Sequence, residues 1–156
     1  MRDLSGIKAV FFDFDDTLAI HDPEFETVNY WEKVWAQPDN VYDESVMPNE
    51  GIRLFLEELS GVDKYCITWA SNSLVVEVKQ TWLDKNFPGE FKKTICTATP
   101  EEKIRVMQVY ASVFGLEPEE ILFVDDLYST LEMAMKAGFV VMTPQEIMNS
   151  VIKQFV

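Results

Sequence analysis

Residues 10–18 read VFFDFDDTL, an apolar run that ends abruptly in acids and a threonine. Continuous apolar runs of this kind are typical of strands buried on both faces of a parallel sheet, so we predict a strand at residues 8–13. Ligands of such sheets bind beyond the carboxyl ends of the strands. Because residues two apart on an extended segment point the same way, Asp13 and Asp15 can face one ligand while Phe14 turns toward the core.

The rest of the chain alternates between short apolar runs and segments with helical spacing. Further strands are predicted at residues 65–70, 94–97, 121–124 and 139–142. Helices are predicted between them, at residues 24–36, 49–60, 73–86, 100–114, 127–137 and 144–154. This alternation indicates an α/β fold: a three-layer, Rossmann-like arrangement around a mostly parallel five-stranded sheet.

The length of 156 residues favours a single domain over residues 1–156, since about 100–200 residues per domain is usual. One segment exceeds what the alternating pattern needs, and we expect a small helical insertion at about residues 19–47. Its helix places Val28, Trp31 and Trp35 on one face. Such an aromatic stripe either packs in the core or forms a wall or lid over a site, and the sequence leaves both interpretations open.

Polar residues follow three of the predicted strands, where a parallel sheet would bring them to one edge. They are Asp13, Asp15, Asp16 and Thr17, then Ser71 and Asn72, then Asp125 and Asp126. Carboxylates this close repel one another unless a cation compensates. Hard oxygen ligands suit Mg²⁺, and the only histidine, His21, cannot build a zinc site alone. The pattern predicts a Mg²⁺ site that handles a phosphoryl group, in which a carboxylate can serve as nucleophile.

Four segments, taken in chain order, resemble the four motifs of the haloacid dehalogenase (HAD) superfamily. The first motif, an apolar strand followed by DxDxT, is matched by VFFDFDDTL, and the second, an apolar strand ending in Ser or Thr, by YCITWASN. The third, a lysine at a helix start, is matched by TPEEKIRVM, and the fourth, an apolar strand ending in two acids, by ILFVDD. With the similar tail STLEMAMKAGF, the resemblance covers about residues 8–142.

The resemblance implies roles for the acids. Asp13 corresponds to the nucleophile that forms a phospho-aspartyl intermediate, and Asp15 to the general acid that protonates the leaving oxygen and then activates water. Mg²⁺ would be bound by Asp13, by the backbone carbonyl of Asp15 and by Asp126. Asp125 is expected behind the site, orienting the motif lysine, with a plain capping acid as the alternative. Asp16 is interpreted as a solvated or loop-bracing acid.

The resemblance also implies a phosphate-binding set. Its members are Thr17, which would also brace the loop, together with Ser71, Asn72 and Lys103. Thr68 is an alternative to Ser71, if the strand ends earlier than predicted. Lys92 and Lys93 are alternatives to Lys103. His21 is interpreted as a loop residue, with contact to the leaving group as the minority view.

The spacing of these residues indicates the kind of member. Within the HAD superfamily, the resemblance of Asp15 to the second aspartate of the first motif implies phosphoryl transfer to water rather than dehalogenation. Thr17 and Ser71 are 54 positions apart, and Ser71 and Lys103 are 32 apart, which leaves no room for a large cap domain. The chain is similar to the small capless, or minimally capped, Mg²⁺-dependent phosphatases. We therefore expect hydrolysis of a phosphomonoester in a phosphorylated small molecule or a phosphoprotein.

A parallel sheet of this kind also serves two other classes of function. A catalytically idle phosphate-binding or scaffold protein on the same fold is the alternative. A phospho-receiver switch is disfavoured, because it needs its acceptor acid at the end of the middle strand and its lysine after the last strand. Here the predicted middle strand ends near Ser71, and Lys103 precedes the pair of acids.

The net charge of −14, from 13 basic and 27 acidic residues, narrows the partners. It disfavours nucleic acid and anionic membranes, which bind through Lys and Arg. A small phosphate ester is still compatible, because local groups decide binding in one pocket. The two cysteines form no disulfide framework, and neither a signal peptide nor a run of about 20 apolar residues is recognisable. We expect a cytoplasmic protein, with its oligomeric state left open.

Overall fold

The computed structural model describes residues 3–22 and 29–156, apart from the side chains at positions 40, 43 and 44. Its strands are β1 Ala9–Phe12, β2 Ala19–His21, β3 Val46–Pro48, β4 Asp63–Trp69, β5 Lys93–Thr97, β6 Ile121–Val124 and β7 Val140–Met142. Its helices are α1 Tyr30–Ala36, α2 Pro38–Glu44, α3 Glu50–Glu58, α4 Ser73–Asn86, α5 Pro100–Phe114, α6 Tyr128–Lys136 and α7 Pro144–Lys153.

The main sheet has five strands in the order β5-β4-β1-β6-β7, and every pairing in it is parallel. Strand β1 lies at its centre, and all four of its residues are fully buried. From β1 the chain builds β4 and β5 on one side and then crosses back to build β6 and β7 on the other, so the crevice at the carboxyl end of β1 is the expected place for a ligand. The α/β, Rossmann-like fold predicted from the alternating pattern is confirmed.

Helices cover both faces of the sheet, and β1 shows why. Its alternate side chains point to opposite faces. Val10 and Phe12 belong to the core that packs on α3, α4 and α7, while Ala9 and Phe11 belong to the core that packs on α5 and α6. Strands buried on both faces explain the continuous apolar runs in the sequence.

The helix starts follow the sequence signals. Thr99 accepts a hydrogen bond from the backbone N–H of Glu102, with Pro100 in the first turn of α5. Thr143 and Glu146 form a reciprocal capping box at the start of α7. Each side chain satisfies a backbone donor that the helix itself cannot pair.

The segment between β1 and α3 is richer than predicted. Strands β2 and β3 form a small antiparallel ribbon, and two short helices, α1 and α2, lie between them in the chain. The predicted helix at residues 24–36 is described only from Tyr30, and its Val28 lies outside the described residues. Pro38, at the first position of α2, separates the two helices because proline suits a helix start and not an interior. Three-residue strands are too short to show a recognisable alternation.

None of the helices in the described part of the chain is both long and apolar enough to span a bilayer.

Candidate active site

A cavity of about 690 Å³ opens at the carboxyl ends of β1, β4 and β6. One part of it is lined by charged groups, namely Asp13, Asp15, Lys79, Lys103 and Asp126. Another part is lined by aromatic side chains, namely Trp31, Trp35, Tyr42 and Trp69. Helices α1 and α2 supply three of these four rings, so the segment after β1 forms a wall of the cavity.

Asp13 continues the line of β1, since its backbone N–H donates to the carbonyl of Val124 at 2.8 Å. Its side chain accepts a 2.6 Å hydrogen bond from Lys103 Nζ on Oδ1 and a long 3.4 Å one from Thr17 Oγ1 on Oδ2. Burial raises the pKa of Asp13 to about 8; Lys103 opposes this shift, while the neighbouring Asp125 adds to it. The positive charge of Lys103 is therefore not enough to offset the burial of Asp13 and the negative charge of Asp125.

Lys103 bridges the aspartates that follow β1 and β6, namely Asp13 and Asp125. Its ammonium also donates to Asp125 Oδ2 at 2.9 Å, and Asp125 Oδ1 accepts from the backbone N–H of Leu127 at 2.9 Å. Burial opposes the charge on Lys103, but Asp13 and Asp125 outweigh it and raise the lysine pKa. Asp125 is fully buried and has both oxygens engaged, so it holds Lys103 in place from behind.

The donor set fits a divalent cation. Asp13, Asp125 and Asp126 each offer a carboxylate oxygen within 4.8 Å of the others. Asp126 lines the cavity, and burial together with Asp125 raises its pKa to about 6. Two acids with raised pKa values beside one lysine form a site that a bound cation would stabilise. Oxygen-only ligands of this type suit Mg²⁺.

Asp15 is surrounded by donors. Oδ1 accepts from His21 Nε2 at 2.8 Å and from Tyr42 OH at 2.6 Å, while Oδ2 accepts from Lys79 Nζ at 2.7 Å. Burial alone would raise the pKa of Asp15, but Lys79 and His21 outweigh it and lower the pKa to about 2. The pKa values of Asp13 and Asp15 are thus shifted in opposite directions, although only Phe14 separates the two residues in the sequence.

No protein-family model matches the chain, and no curated protein matches it in sequence. Solved structures do resemble it. A HAD-family enzyme of Bacteroides thetaiotaomicron, in complex with magnesium, has a TM-score of 0.61 at 16% identity over 89% of this chain and 93% of that one. The same enzyme with magnesium and inorganic phosphate gives a TM-score of 0.59 at 14% identity, over 88% and 93% of the two chains. A predicted phosphoglycolate phosphatase of Haemophilus somnus gives 0.63 at 18% identity, over 87% and 84%.

The chain has the HAD fold. Its four motif segments come together at one edge of the sheet, which is the arrangement that the resemblance implied. The fold expected from the motifs is therefore confirmed by comparison with solved structures.

The structure places most of the predicted residues of this HAD-fold protein in or beside the cavity. Asp13, Asp15, Lys103 and Asp126 line it. Thr17 is fully buried behind Asp13 rather than in the cavity lining. The alternative lysines, Lys92 and Lys93, are both exposed. The Nζ atom of Lys92 forms an ion pair with Asp63 Oδ1 at 2.7 Å.

The structure places the predicted residues of the second motif outside the cavity lining. Ser71 and Asn72 are exposed and do not line the cavity. Asn72 instead caps α4, accepting from the backbone N–H of Val75 at 3.0 Å. Strand β4 ends at Trp69, two residues before Ser71, and Phe12 pairs with Cys66 in the register. Thr68, the alternative, is therefore nearly level with the end of β1.

Thr68 is 1% exposed and lines the cavity. Its Oγ1 accepts a 2.8 Å hydrogen bond from Lys79 Nζ. The structure thus brings the hydroxyl of Thr68, and not that of Ser71, next to the charged groups.

Sequence reasoning missed Lys79. It lies on the buried face of α4 with Val75, Val78 and Trp82, and it is only 2% exposed. Its Nζ donates to Asp15 Oδ2, to Thr68 Oγ1 and to the carbonyl of Trp69. A lysine at a core-facing helical position was the available signal, because such a lysine is rarely buried without a partner.

His21 and Tyr42 were also missed as neighbours of Asp15. His21 lies in β2 rather than in a loop, is 3% exposed, and also contacts the hydroxyl of Tyr30. Tyr42 comes from α2, which the sequence did not predict.

Asp16 braces the loop after β1, as interpreted from the sequence. Its φ of 56° lies in the left-handed region, which aspartate tolerates better than most residues. Its Oδ1 accepts from the backbone N–H of His21 at 3.3 Å. This turn carries β1 into β2 and sets His21 against Asp15.

Proposed function

We propose that this chain is a member of the HAD superfamily and a Mg²⁺-dependent phosphomonoester hydrolase that works through a phospho-aspartyl intermediate on Asp13. The observation that carries the proposal is the cluster of Asp13, Lys103, Asp125 and Asp126 at one end of the cavity. The solved structures with the same fold support it, since they include a magnesium and phosphate complex and a predicted phosphatase. That residues 1–156 belong to a single domain is also part of this proposal.

In this proposal Asp13, Asp126 and the backbone carbonyl of Asp15 hold Mg²⁺. The bound ion supplies positive charge that attracts phosphate oxygens and keeps Asp13 ionised despite its raised pKa. Asp125 stays behind the site, because it is fully buried, does not line the cavity and binds Lys103 and the backbone N–H of Leu127.

We assign the phosphate to Lys103 and Thr68, whose hydroxyl donates to the Trp69 carbonyl at 3.1 Å and would turn toward a phosphate oxygen. The ammonium of Lys103 has three N–H donors, and Asp13 and Asp125 use two of them, which leaves one for a phosphate oxygen. Thr68 replaces Ser71 and Asn72 in the predicted phosphate-binding set, because it lines the cavity. Thr17 acts on Asp13 from its buried position.

In the first step a carboxylate oxygen of Asp13 attacks phosphorus, and the bond between phosphorus and the ester oxygen breaks. Asp15 donates the proton that the leaving oxygen takes up. The resting carboxyl has a pKa of about 2, so it must take up this proton from the solvent as the substrate binds. The phosphate dianion promotes that change, because a nearby like charge raises a carboxyl pKa.

In the second step Asp15, again a carboxylate, takes a proton from water, and the resulting hydroxide attacks phosphorus. The bond between phosphorus and Asp13 breaks, which releases inorganic phosphate and regenerates the nucleophile. Lys79, His21 and Tyr42 hold Asp15 in place throughout, and their hydrogen bonds favour its ionised form. Positioned groups of this kind are typical of phosphoryl transfer.

The proposal is tested with Asp13→Asn, measured with p-nitrophenyl phosphate and Mg²⁺. Turnover should fall at least about 1000-fold while the circular dichroism spectrum is unchanged, because the amide cannot act as nucleophile. Asp84→Asn, an exposed acid on α4, is the matched control and should retain wild-type turnover. Equal turnover of Asp13→Asn and wild type would refute the assignment of Asp13 as the nucleophile. Binding of phosphate without any turnover by the wild type would favour the idle phosphate-binding alternative.

A further inference from the structure

The cavity is larger than a phosphoryl group requires. Its volume of about 690 Å³ lies within the range of pockets that hold drug-sized ligands, about 300–1,000 Å³. The acids and lysines described above occupy one part of it. The remaining lining is mostly apolar, so the part of the substrate that leaves after hydrolysis meets a different chemistry from the phosphate.

Three tryptophans, which we call the aromatic wall, dominate that remaining part: Trp31, Trp35 and Trp69. The chain has four tryptophans in all, so most of them face this one cavity. The rings of Trp35 and Trp69 meet edge to face, with centroids 5.3 Å apart. Trp69 is nevertheless 39% exposed at the end of a core strand, which leaves ring surface available to a ligand.

The aromatic wall begins directly beside the reacting groups. Trp69 follows Thr68 in the chain, and its backbone carbonyl accepts from Lys79 Nζ, the same atom that binds Asp15. In the proposed first step Asp15 protonates the leaving oxygen. The group attached to that oxygen would therefore lie on the side of the cavity where β4 ends at Trp69.

The charges of the cavity disfavour a second anionic group on the substrate. Lys79 and Lys103 are the cationic residues among the described lining, and both are ion-paired with aspartates. Asp16 and Glu101 add negative charge to the lining.

We propose that the substrates are phosphomonoesters whose leaving alcohol carries an uncharged aromatic ring close to the ester oxygen. This inference rests on the proposed phosphatase function and names the substrate class for that same site. The phosphate takes the end of the cavity at Asp13 and Lys103, and the ring packs on the aromatic wall. Aromatic rings pack favourably edge to face or offset against tryptophan, and they need no charged partner.

The test compares kcat/KM for benzyl phosphate, glycerol 1-phosphate and phosphoglycolate with Mg²⁺ present. All three esters release a primary alcohol, so differences in the bond being broken do not dominate the comparison. We expect benzyl phosphate to exceed glycerol 1-phosphate by about tenfold or more, as filling an apolar pocket usually gives. Phosphoglycolate, with its extra carboxylate, should be the poorest. Equal values, or a preference for phosphoglycolate, would overturn the inference.

Variants of the tryptophans test whether the aromatic wall causes the preference for benzyl phosphate. Trp35→Ala and Trp69→Leu should each lower the ratio of benzyl phosphate to glycerol 1-phosphate kcat/KM at least about fivefold. Phe114→Ala removes an exposed aromatic ring of α5 outside the cavity lining, and it should leave the ratio unchanged. An unchanged ratio in both tryptophan variants would contradict the assignment of the aromatic wall.

A binding measurement separates this inference from the proposed function. Calorimetric titration with benzylphosphonate and methylphosphonate, neither of which is hydrolysed, compares the binding of an aromatic group and of a methyl group without turnover. Tighter binding of benzylphosphonate by about tenfold would support the aromatic site even if no ester were hydrolysed, in which case the phosphatase proposal alone would fail. Equal binding of the two phosphonates would overturn the aromatic site, whatever the turnover.

Discussion

Lys79 Nζ lies 2.7 Å from Asp15 Oδ2, although the two residues are 64 positions apart in the chain. The lysine reaches this point from the buried face of α4, and the same atom also binds Thr68 and the Trp69 carbonyl. One cation therefore links the residue proposed as acid and base, the hydroxyl proposed for phosphate and the start of the aromatic wall. The arrangement makes Asp15 the ionised member of the two aspartates after β1.

Removing this lysine should destabilise the fold. In Lys79→Met a buried carboxylate loses its charged partner, which typically costs about 3–5 kcal/mol. Urea denaturation at neutral pH measures the free energy of unfolding. Lys136→Met, which removes an exposed pair with Glu132, is the control and should change stability by about 1 kcal/mol or less. The double variant Lys79→Met with Asp15→Asn should lose less than the sum of the single variants, and strict additivity would contradict a direct pair.

Acid should weaken the fold through Asp15. Its pKa is lower in the folded protein, about 2, than its ordinary value of 3.8, so its ion pairs contribute stability above pH 3.8. That contribution is lost as pH falls from 3.8 toward 2 and the carboxyl is protonated. The free energy of unfolding, followed between about pH 5 and 2, should therefore fall less steeply in Asp15→Asn than in the wild type. Parallel curves would argue that Asp15 is not held as an anion.

Mg²⁺ binding should depend strongly on pH. Asp13 and Asp126 have raised pKa values of about 8 and about 6, and each must lose its proton to bind a metal. The logarithm of the association constant should rise with pH, with a slope near one between pH 6 and 8 and a steeper slope below pH 6. Asp126→Asn should weaken binding and remove the steeper part. Calorimetric titration at several pH values checks this, and an affinity independent of pH would contradict the proposed ligands.

The two roles of Asp15 can be separated kinetically. Nitrophenolate leaves readily without a proton, so Asp15→Asn should still form the phospho-enzyme from p-nitrophenyl phosphate. Activation of water should be slowed by about 100-fold to 10,000-fold, the usual contribution of a general base. Stopped-flow absorbance should show a burst of about one nitrophenol per protein, followed by slow turnover. A steady rate equal to that of the wild type, without a burst, would remove Asp15 from the mechanism.

The two candidate hydroxyls give a matched comparison. Thr68→Ala should lower kcat/KM by about 10-fold to 100-fold, because the buried hydroxyl proposed to bind the phosphate is lost. Ser71→Ala should have the smaller effect, since Ser71 is exposed outside the cavity lining. Both variants are measured with the same ester and at saturating Mg²⁺. A larger loss in Ser71→Ala would return the second motif to its original assignment.

Much of the fold could be predicted, because its information is local. The apolar run before Asp13 and the one before Asp125 are strands, and Thr99 and Thr143 start helices as their sequences indicate. Strand ends in a parallel sheet meet at one edge, so acids far apart in the chain could be placed together.

The rest of the site depends on tertiary contacts that leave weak local signals. Strand β4 ends at Trp69, one residue earlier than predicted, and this places Thr68 rather than Ser71 in the cavity lining. The contacts of His21 and Tyr42 with Asp15 require the ribbon and α2, elements too short for a periodic pattern. The one signal for Lys79, its helical spacing with Val75, Val78 and Trp82, is weak because it depends on knowing which face of α4 packs inward.

The most direct test of the account is whether Asp13 becomes phosphorylated during turnover. The protein would be mixed with p-nitrophenyl phosphate and Mg²⁺, quenched in acid after milliseconds, digested, and analysed by mass spectrometry, with Asp13→Asn as the control. We predict one added phosphoryl group on the peptide that contains residues 9–17, located at Asp13 and missing from the variant. An active protein whose Asp13 stays unmodified, or one phosphorylated at another residue, would contradict the account.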